Sequence, residues 1–528
     1  MSAVQHATAA SDRVPYRLII TLCTVGATLM QALDQTIANV ALPYMQGSLS
    51  ATYDEITWVL TSYITAAAIM TAPVGWMAAR FGRKYLFTTC LTGFTITSMM
   101  CGAAQTLNQM VLFRLFQGMF GAALVPLSQA TMLDIYPAEQ RGNAMAIWGV
   151  GVMIGPILGP TLGGYLTEMY NWRWVFYINL PFGILAIAGL WTFMENTAPN
   201  REHRFDWTGF AALSLGLGAM QLALDRGELK GWFGSTEIVI EAVLAGLGLY
   251  LFLVHVFLHH KPFIPMAIFR DLNFTMGLLV MFTIGMVLLA SSALLAPYLQ
   301  TLGNYPVAQA GALMAPRGLG TMAAMLVAGR LSSRMDPRLL MFAGVVMLAT
   351  SLWRMMGWTP DIDPWSLAGT TLLQGAGLGF VFIPLQVVAF ATLNPALRTD
   401  ATALLSLMRN VGSSIGISIA SFLLAQNTQI VHAQLAEHVT PFNRMLQTAG
   451  AYLMWNSATL AGLSALNDEI TRQASIIAYM DDFKFMLVIC IPAALLLPLM
   501  RRPKKAPAAA AGPRGAPPHE QQHAAALD

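Results

Sequence analysis

The sequence predicts an all-α integral membrane protein with fourteen transmembrane helices. Composition is the first reason, because 56% of the 528 residues are hydrophobic and only 10% are charged, whereas soluble domains carry about 25% charged residues. The apolar residues also fall into segments of about 20, the length that an α-helix needs to cross a hydrocarbon layer of ~30 Å. Finally, two sequence patterns recur in the same order in the two halves of the chain, as expected of a duplicated membrane protein.

The predicted membrane-crossing segments are called spans 1 to 14 in chain order. The first seven cover Arg17–Val40, Thr57–Ala78, Leu86–Thr106, Gln109–Leu133, Met145–Leu166, Trp174–Met194 and Thr208–Leu224. The second seven cover Ile238–Leu258, Thr275–Tyr298, Gln309–Gly329, Leu340–Gly357, Ser366–Thr392, Thr402–Ala425 and Phe485–Leu499. Met1–Tyr16 is polar and the apolar run after it is too long for the core of a signal peptide, so we expect no cleavable signal before span 1.

Basic residues indicate the orientation, because Lys and Arg in short loops are retained in the cytoplasm. With the N terminus inside, roughly three times as many Lys and Arg fall on the inner side as on the outer side, so both termini are expected in the cytoplasm. The net charge of +3 is therefore topological and does not indicate a nucleic-acid partner. All four cysteines fall within spans, where apolar packing is a better interpretation than disulfides or metal ligands.

Two pairs of related stretches indicate an internal repeat. GWMAARFGRK (Gly75–Lys84) follows span 2, and GRLSSRMDPR (Gly329–Arg338) follows span 10. RLFQGMFGAALVPL (Arg114–Leu127) on span 4 is similar to TLLQGAGLGFVFIPL (Thr371–Leu385) on span 12, with a difference of one residue in spacing. Any single glycine match could reflect helix packing alone, but two matches in the same order indicate that spans 2 and 4 correspond to spans 10 and 12.

The repeat predicts two related six-helix halves, spans 1 to 6 and 9 to 14, with spans 7 and 8 inserted between them. Repeated halves are typical of alternating-access transporters, whose substrate site lies between the halves near the middle of the membrane. The predicted regions are a cytoplasmic N-terminal tail (1–16), the N-terminal half (17–196), the inserted pair (197–262), the C-terminal half (263–502) with an outer loop (427–484), and a disordered cytoplasmic tail (503–528).

The motifs resemble those of a known family. LDQTIANVALP on span 1, GWMAARFGRK after span 2, RLFQGMFGAA on span 4 and GPILGPTLGG on span 5 are similar to motifs of the major facilitator superfamily. Three features resemble the EmrB-like branch of drug:proton antiporters within this superfamily. They are the number of spans, fourteen, and the stretches NWRWVFYINLPFG (Asn171–Gly183) and HAQLAEHVTPFN (His432–Asn443). The resemblance implies a polyspecific, proton-driven exporter of lipophilic or aromatic compounds in the bacterial inner membrane. The chain departs from the family at Ala79, where the loop after span 2 usually carries an acid.

Asp34 is the clearest candidate for proton coupling, because an acid inside a membrane helix is costly and is usually functional. Three polar residues lie on the same face of span 1 as Asp34. Gln31 is three residues before Asp34, Gln35 directly follows it, and Asn39 is four residues after Gln35. Arg114 on span 4 is the expected partner of Asp34, and the corresponding position in the second half is Thr371. The resemblance implies proton coupling for the pair; the alternative is a purely structural ion pair.

Glycine and basic residues are candidates for conformational change. In the loop after span 2 and on span 4 these are Gly75, Arg80, Gly82, Arg83, Lys84 and Gly118. On span 5, small residues form a smooth ridge and prolines bend the helix, namely Gly155, Pro156, Gly159, Gly163 and Gly164. The resemblance implies that this ridge is a pliable seam against the opposite half, and the alternative is simple tight packing.

The substrate cavity is less clearly indicated. Its aromatic and amide candidates are Tyr63, Trp148, Tyr298 and Gln374, each of which could instead belong to the core. Arg317 and Arg409, the latter next to Asn410, are cations within spans that would either contact substrate or fix helices together. The chain has 33 methionines, which provide the adaptable surfaces that promiscuous binders use.

The outer loop has apolar residues at helical intervals and is expected to form helices above the membrane. The resemblance implies that this loop docks a periplasmic adaptor of the EmrA type, which leads to an outer-membrane channel. The alternative is that the loop only covers the outer opening of the transporter itself. Membrane lipids, protons and small lipophilic substrates are the other expected partners. No cofactor is predicted, and no GxxxxGK[ST] loop indicates ATP as the energy source. A dedicated organic-solute permease and a membrane sensor remain alternative functions, whereas an enzyme is disfavoured.

Overall fold

The computed structural model describes residues 16–197, 205–259, 262–332, 334–440, 448, 455 and 459–501. The two predicted tails therefore lie almost wholly outside the described residues. The N-terminal half contains α1 (Arg17–Ser48), α2 (Trp58–Thr71 and Val74–Phe81), α3 (Arg83–Ala103), α4 (Leu107–Ile135), α5 (Arg141–Met169) and α6 (Trp174–Phe193). The inserted pair is α7 (Trp207–Lys230) and α8 (Thr236–Leu258), and the C-terminal half contains α9 (Leu272–Pro297), α10 (Val307–Leu331), α11 (Pro337–Met355), α12 (Pro364–Ala391), α13 (Arg398–Glu437) and α14 (Leu460–Leu496).

These helices confirm the predicted all-α membrane fold. They are long and apolar enough to provide fourteen spans when the two segments of α2, which are bent by 58°, are counted as one. The bend follows Thr71 and lies at Pro73, because a proline cannot donate the backbone hydrogen bond that would continue the helix. The predicted boundaries were least accurate at the last two helices.

Helices α13 and α14 extend well beyond spans 13 and 14. α13 continues to Glu437, and α14 begins at Leu460, where the Thr459 side chain accepts a hydrogen bond from Gly462 N–H at 3.1 Å. The His432 ring lies 3.1 Å from the Asn467 side-chain oxygen and links the two extensions. The helices expected in the outer loop are thus present at both of its ends.

Side-chain caps begin several of the helices. Asp206 accepts a hydrogen bond from Gly209 N–H at the start of α7 (2.9 Å), and Asp363 accepts from the N–H groups at the start of α12. Such caps satisfy backbone donors that the helix itself leaves free. Burial acts to raise the pKa of Asp206, but the hydrogen bonds from Gly209, Thr208 and His255 outweigh it and lower that pKa.

The packing of the helices repeats between the two halves. α1 packs against α5 and α6 as α9 packs against α13 and α14, and α4 packs against α2 and α3 as α12 packs against α10 and α11. The halves contact each other through α5 with α10 and through α2 with α13. In the inserted pair, α8 packs on α7, and α7 contacts both α2 and α13. We call the side on which α1 begins the proximal side and the opposite side the distal side.

Candidate functional site

A buried ion pair occupies the interior of the N-terminal half. Arg114 Nη1 of α4 donates to Asp34 Oδ2 of α1 at 2.6 Å, and the two side chains are 1% and 0% exposed. Two further donors complete the carboxylate, because Gln117 Nε2 and Asn179 Nδ2 lie 2.9 and 3.3 Å from Asp34 Oδ1. We call Asp34, Arg114, Gln117 and Asn179 the polar centre. A guanidinium and two amide donors stabilise an ionised carboxylate, whereas a purely apolar environment would destabilise it.

Arg114 also connects the polar centre to α2. Its Nε donates to the Val59 carbonyl oxygen at 3.2 Å, and its Cζ lies 4.3 Å from the centre of the Tyr63 ring. Gly118 allows this contact, because a Cβ there would collide with the Tyr63 backbone. The Arg114 guanidinium therefore joins α1 and α2 to α4. A change in the charge of Asp34 would alter the contacts of Arg114 with both α1 and α2.

Local sequence spacing explains how the polar centre forms. Arg114 and Gln117 are three residues apart on α4 and so lie on one face, and Arg114 Nη1 also donates to Gln117 Oε1 at 2.9 Å. Asn179 begins the straight segment of α6 and donates to Ser98 Oγ of α3 at 3.0 Å. The polar centre thus draws on α1, α4 and α6, and Ser98 anchors it to α3.

The other polar residues predicted on α1 do not join the polar centre. Gln31 is half-buried, whereas Gln35 and Asn39 are exposed. None of these three side chains has a hydrogen bond to Asp34 within the described part of the chain. They lie on the surface of α1, and only Asp34 of this group is held by α4.

The aromatic and amide candidates for the cavity, Tyr63, Trp148, Tyr298 and Gln374, are buried in this conformation. Trp148 donates to Ser128 Oγ at 2.9 Å and stacks on Phe382 of α12, with 6.3 Å between ring centres. Tyr298 is 2% exposed and Gln374 is 0% exposed, its Nε2 lying 3.9 Å from Met355 Sδ. Substrate would therefore reach these residues only after a rearrangement of the helices.

The two other arginines that were singled out within spans have different surroundings. Arg317 of α10 donates to Ser292 Oγ at 2.6 Å, to the Leu288 carbonyl at 2.8 Å and to Ser291 Oγ at 3.0 Å, so it joins α10 to α9. Arg409 of α13 is half-buried beside Asn410, and its guanidinium has no hydrogen-bond acceptor among the described residues. Arg317 is therefore satisfied by α9, whereas the Arg409 guanidinium is left without an acceptor in the described part of the chain.

Ion pairs close the proximal side between the halves. Arg83 pairs with Asp134 at the end of α4 and donates to Thr399 Oγ1 of α13 at 3.0 Å. Arg398 of α13 lies 2.7 Å from the other oxygen of Asp134. Asp134 thus supplies an acid that the loop itself lacks at Ala79. We call Arg83, Asp134, Arg398 and Thr399 the proximal gate.

The remaining residues of the loop motif surround this gate. Gly75 lies so close to Asp400 of α13 that any side chain at position 75 would clash. Gly82 has φ +87°, which favours glycine, and Lys84 Nζ lies 5.8 Å from the centre of the Trp191 ring. Arg80 is half-buried on the second segment of α2.

The glycine ridge of α5 corrects one prediction. A Cβ at Gly155 would lie 2.8 Å from Ala32 Cβ, and Gly159 and Gly163 face Thr36 and Ile37, so the ridge packs on α1 of its own half. The opposite half instead contacts α5 at Gly142, Gly149 and Ile157. Pro156 is exposed, and Gly164 has no neighbour within 4 Å. The predicted seam against the opposite half was therefore wrong.

Several site residues were missed from the sequence. Asn179 lies inside the quoted stretch NWRWVFYINLPFG, and Gln117 inside RLFQGMFGAA, but neither was given a role. Asp134 and Arg398 lie at the ends of predicted spans, where charged residues are common and carry little signal. Only the tertiary packing shows that they meet.

The fold and the buried ion pair define a multi-pass membrane protein of the secondary-transporter class, built from two halves around an intramembrane acid. The chain belongs to the Major Facilitator Superfamily, whose family model matches residues 24–417. It is 34% identical to the multidrug export protein EmrB of Escherichia coli (strain K12) over 469 residues, which are 88% of this chain and 92% of that protein. It is also 33% identical to the fatty acid resistance protein FarB of Neisseria gonorrhoeae, over 90% of this chain and 94% of that protein.

Solved structures support the fold alone. The human organic anion transporter MFSD10 has a TM-score of 0.58 at 16% identity, covering 90% of this chain and 100% of that one. The proton:xylose symporter XylE has a TM-score of 0.55 at 14% identity, covering 89% and 96%. The family establishes that the protein is a transporter and not an enzyme.

Proposed function

We propose that the protein exports lipophilic or aromatic drugs across the bacterial inner membrane in exchange for protons, with Asp34 as the proton-binding group and both termini in the cytoplasm. The observation that carries the proposal is the Asp34–Arg114 pair, which is buried and held by contacts among α1, α2, α4 and α6. Relatives named for multidrug export and fatty acid resistance, at 33–34% identity over about nine tenths of the chain, support a lipophilic substrate.

The contacts suggest how proton binding would move the halves. Protonation of Asp34 removes the negative charge that faces Arg114, and Arg114 then relies on Val59 and Tyr63 of α2. α2 is also the helix that meets the opposite half, at Gly75 against Asp400. A proton on Asp34 thus changes how α2 is held near Val59 and Tyr63, while the contact of Gly75 with Asp400 holds its other end against the opposite half.

In the proposed cycle, Asp34 takes up a proton from the distal side and substrate leaves there. The halves then rock, the proximal gate opens, and Asp34 releases its proton inward before the next substrate binds. A proton that moves inward across a potential of 100 mV supplies ~2.3 kcal/mol. Gln31, Gln35, Asn39 and Tyr63 are proposed to line the substrate path on the N-terminal side.

The extended ends of α13 and α14 are proposed to dock a periplasmic adaptor of the EmrA type, which would pass substrate to an outer-membrane channel. Support comes from their length, since both helices continue well past a bilayer span and are joined by His432 and Asn467. A purified adaptor that binds the full-length protein, and fails to bind after residues at this junction are replaced by Arg, would support docking.

Drug-driven proton flux tests the proposed function. Purified protein is reconstituted in vesicles that contain a pH-sensitive dye, and a lipophilic drug is added under an imposed pH gradient. Wild type should release protons on drug addition, Asp34→Asn should bind drug but lose at least about tenfold in proton flux, and the exposed control Asp361→Asn should match wild type. Flux that is equal in wild type and Asp34→Asn would remove Asp34 from the mechanism, and drug accumulation inside cells would favour a permease.

A further inference from the structure

Asp482 of α14 is a second acid inside the membrane bundle. Its side chain is 0% exposed, and neither carboxyl oxygen has a hydrogen-bond partner among the described residues. An ionised carboxylate without a counter-ion or donor is very costly in a protein interior. Burial of this kind favours the neutral acid, so Asp482 would carry a proton in this conformation.

Asp482 occupies the position in the C-terminal half that Asn179 occupies in the polar centre. Asn179 and Asp482 lie at the same distance along the chain from the last residues of their helices, Phe193 and Leu496. Each also comes three residues after a buried aromatic side chain, Phe176 in α6 and Tyr479 in α14. Because α6 and α14 pack equivalently in their halves, the repeat places Asp482 at the counterpart of a residue that contacts Asp34.

No cation pairs with Asp482 among the residues that the structure describes. Tyr479 is one helical turn away, and its ring lies 5.3 Å from that of Tyr298, the residue that follows the end of α9. The Tyr298 hydroxyl is also buried, with no hydrogen-bond partner among the described residues. Trp358, which lies three residues after the end of α11, packs on Tyr298 and Phe483. Thr371 stands where the other half has Arg114, and the exposed Asp481 is the charged neighbour of Asp482 within the described part of the chain. The C-terminal half therefore holds a buried acid that has no basic partner among the described residues.

We propose that Asp482 is a second proton-binding residue, which holds its proton while Asp34 is ionised and releases it to water when the C-terminal half rearranges. This inference rests on the proposed proton-coupled function. When Asp482 releases its proton it becomes a carboxylate, which must be stabilised by water or a hydrogen-bond donor. The neighbouring Asp481 is exposed, so the protein surface is close to Asp482. The transport cycle would then move a proton at each half.

Infrared difference spectroscopy tests the protonation directly. Wild type at neutral pH should show the carbonyl band of a protonated carboxyl group, and drug binding should change that band. Asp482→Asn should lack the band, whereas the neighbouring control Asp481→Asn should retain it. A wild-type spectrum without the band, or a band that drug does not change, would overturn the proposal.

Counting protons per drug in vesicles tests the role in transport. Asp482→Asn should still bind drug, but its proton-to-drug ratio should fall by the proton that Asp482 carries, and its dependence on external pH should flatten relative to Asp481→Asn. If wild type couples drug to protons and Asp482→Asn keeps the wild-type ratio and pH profile, Asp482 has no coupling role and the proposed function stands. If wild type moves no protons with drug, the proposed function itself fails.

Discussion

Asp34 and Asp482 are both fully buried acids in repeated halves, yet their surroundings are opposite. Asp34 has a guanidinium at 2.6 Å and two amide donors, whereas Asp482 has no donor among the described residues. The backbone scaffold is therefore duplicated while the charge is not. A duplicated scaffold provides two bodies that can rock, and an unequal distribution of charge makes protonation act differently on each of them.

Loss of Arg114 should have the largest effect on this comparison. Arg114→Leu leaves Asp34 buried without its counter-ion, and removal of one partner of a buried pair costs about 3–5 kcal/mol. We expect a large drop in the thermal unfolding temperature in detergent. The double variant Arg114→Leu with Asp34→Asn removes both charges and should recover most of the loss, as measured by a double-mutant cycle. An Arg114→Leu protein as stable as wild type would mean that the pair stabilises nothing.

The two helix crossings of the halves should be equally intolerant of bulk. Gly155 of α5 faces Ala32 of α1, and Gly416 of α13 faces the Met286 backbone of α9. A valine at either position should destabilise the protein by about 3 kcal/mol because the helices must separate. Gly164→Val is the control, since nothing lies within 4 Å of that glycine, and it should unfold close to wild type. A Gly416→Val protein that resembles this control would show that the second crossing is looser than the first.

Replacement of Asp482 should stabilise the protein, whereas replacement of Arg114 should destabilise it. Asp482→Leu replaces an acid without partners by an apolar side chain of similar size, which should raise the free energy of unfolding by about 1–2 kcal/mol. The unfolding midpoint in detergent measures the gain, and Asp481→Leu at the exposed neighbouring position is the control. A loss of stability in Asp482→Leu would indicate a hydrogen-bonded role for this acid.

The sequence was sufficient for the fold and for one ion pair. Long apolar segments predict spans because each must satisfy its own backbone in hydrocarbon, and this physics does not depend on tertiary contacts. Asp34 and Arg114 were found because single charges in apolar segments are rare and costly. The repeat of Gln117 and Gln374 gave the register between the halves.

Tertiary packing was needed for the rest of the site. Amides such as Asn179 are common in membrane helices, and nothing in the local sequence shows that this one reaches Asp34. The sequence shows only that the loop has Ala79 in place of the family's acid, and the packing alone shows that Asp134 on α4 lies beside Arg83. Asp482 lay at the edge of the predicted outer loop because α14 begins 25 residues before span 14 does, so its burial was not expected.

Charge is also distributed unequally between the halves at the proximal gate. Of the variants considered, a change at this gate should have the smallest effect. Asp134 pairs with Arg83 and with Arg398 of the opposite half, and in the register of Gln117 with Gln374 its counterpart is the neutral Ala391. Asp134→Asn weakens both pairs. Because these side chains are partly exposed, the loss should be about 1 kcal/mol, which is roughly a fivefold shift toward the conformation open on the proximal side.

Spin labels at Phe81 and Ala396, both exposed on the proximal side of opposite halves, would report this shift in a background without native cysteines. The fraction of long distances between the labels should rise in Asp134→Asn and stay at the wild-type value in Glu139→Gln, which changes an exposed acid on the same side. Equal distance distributions in all three proteins would mean that apolar contacts such as Gly142 with Gly329 hold the gate. The inequality of charge would then be confined to the buried interior of the two halves, to which Asp34 and Asp482 belong.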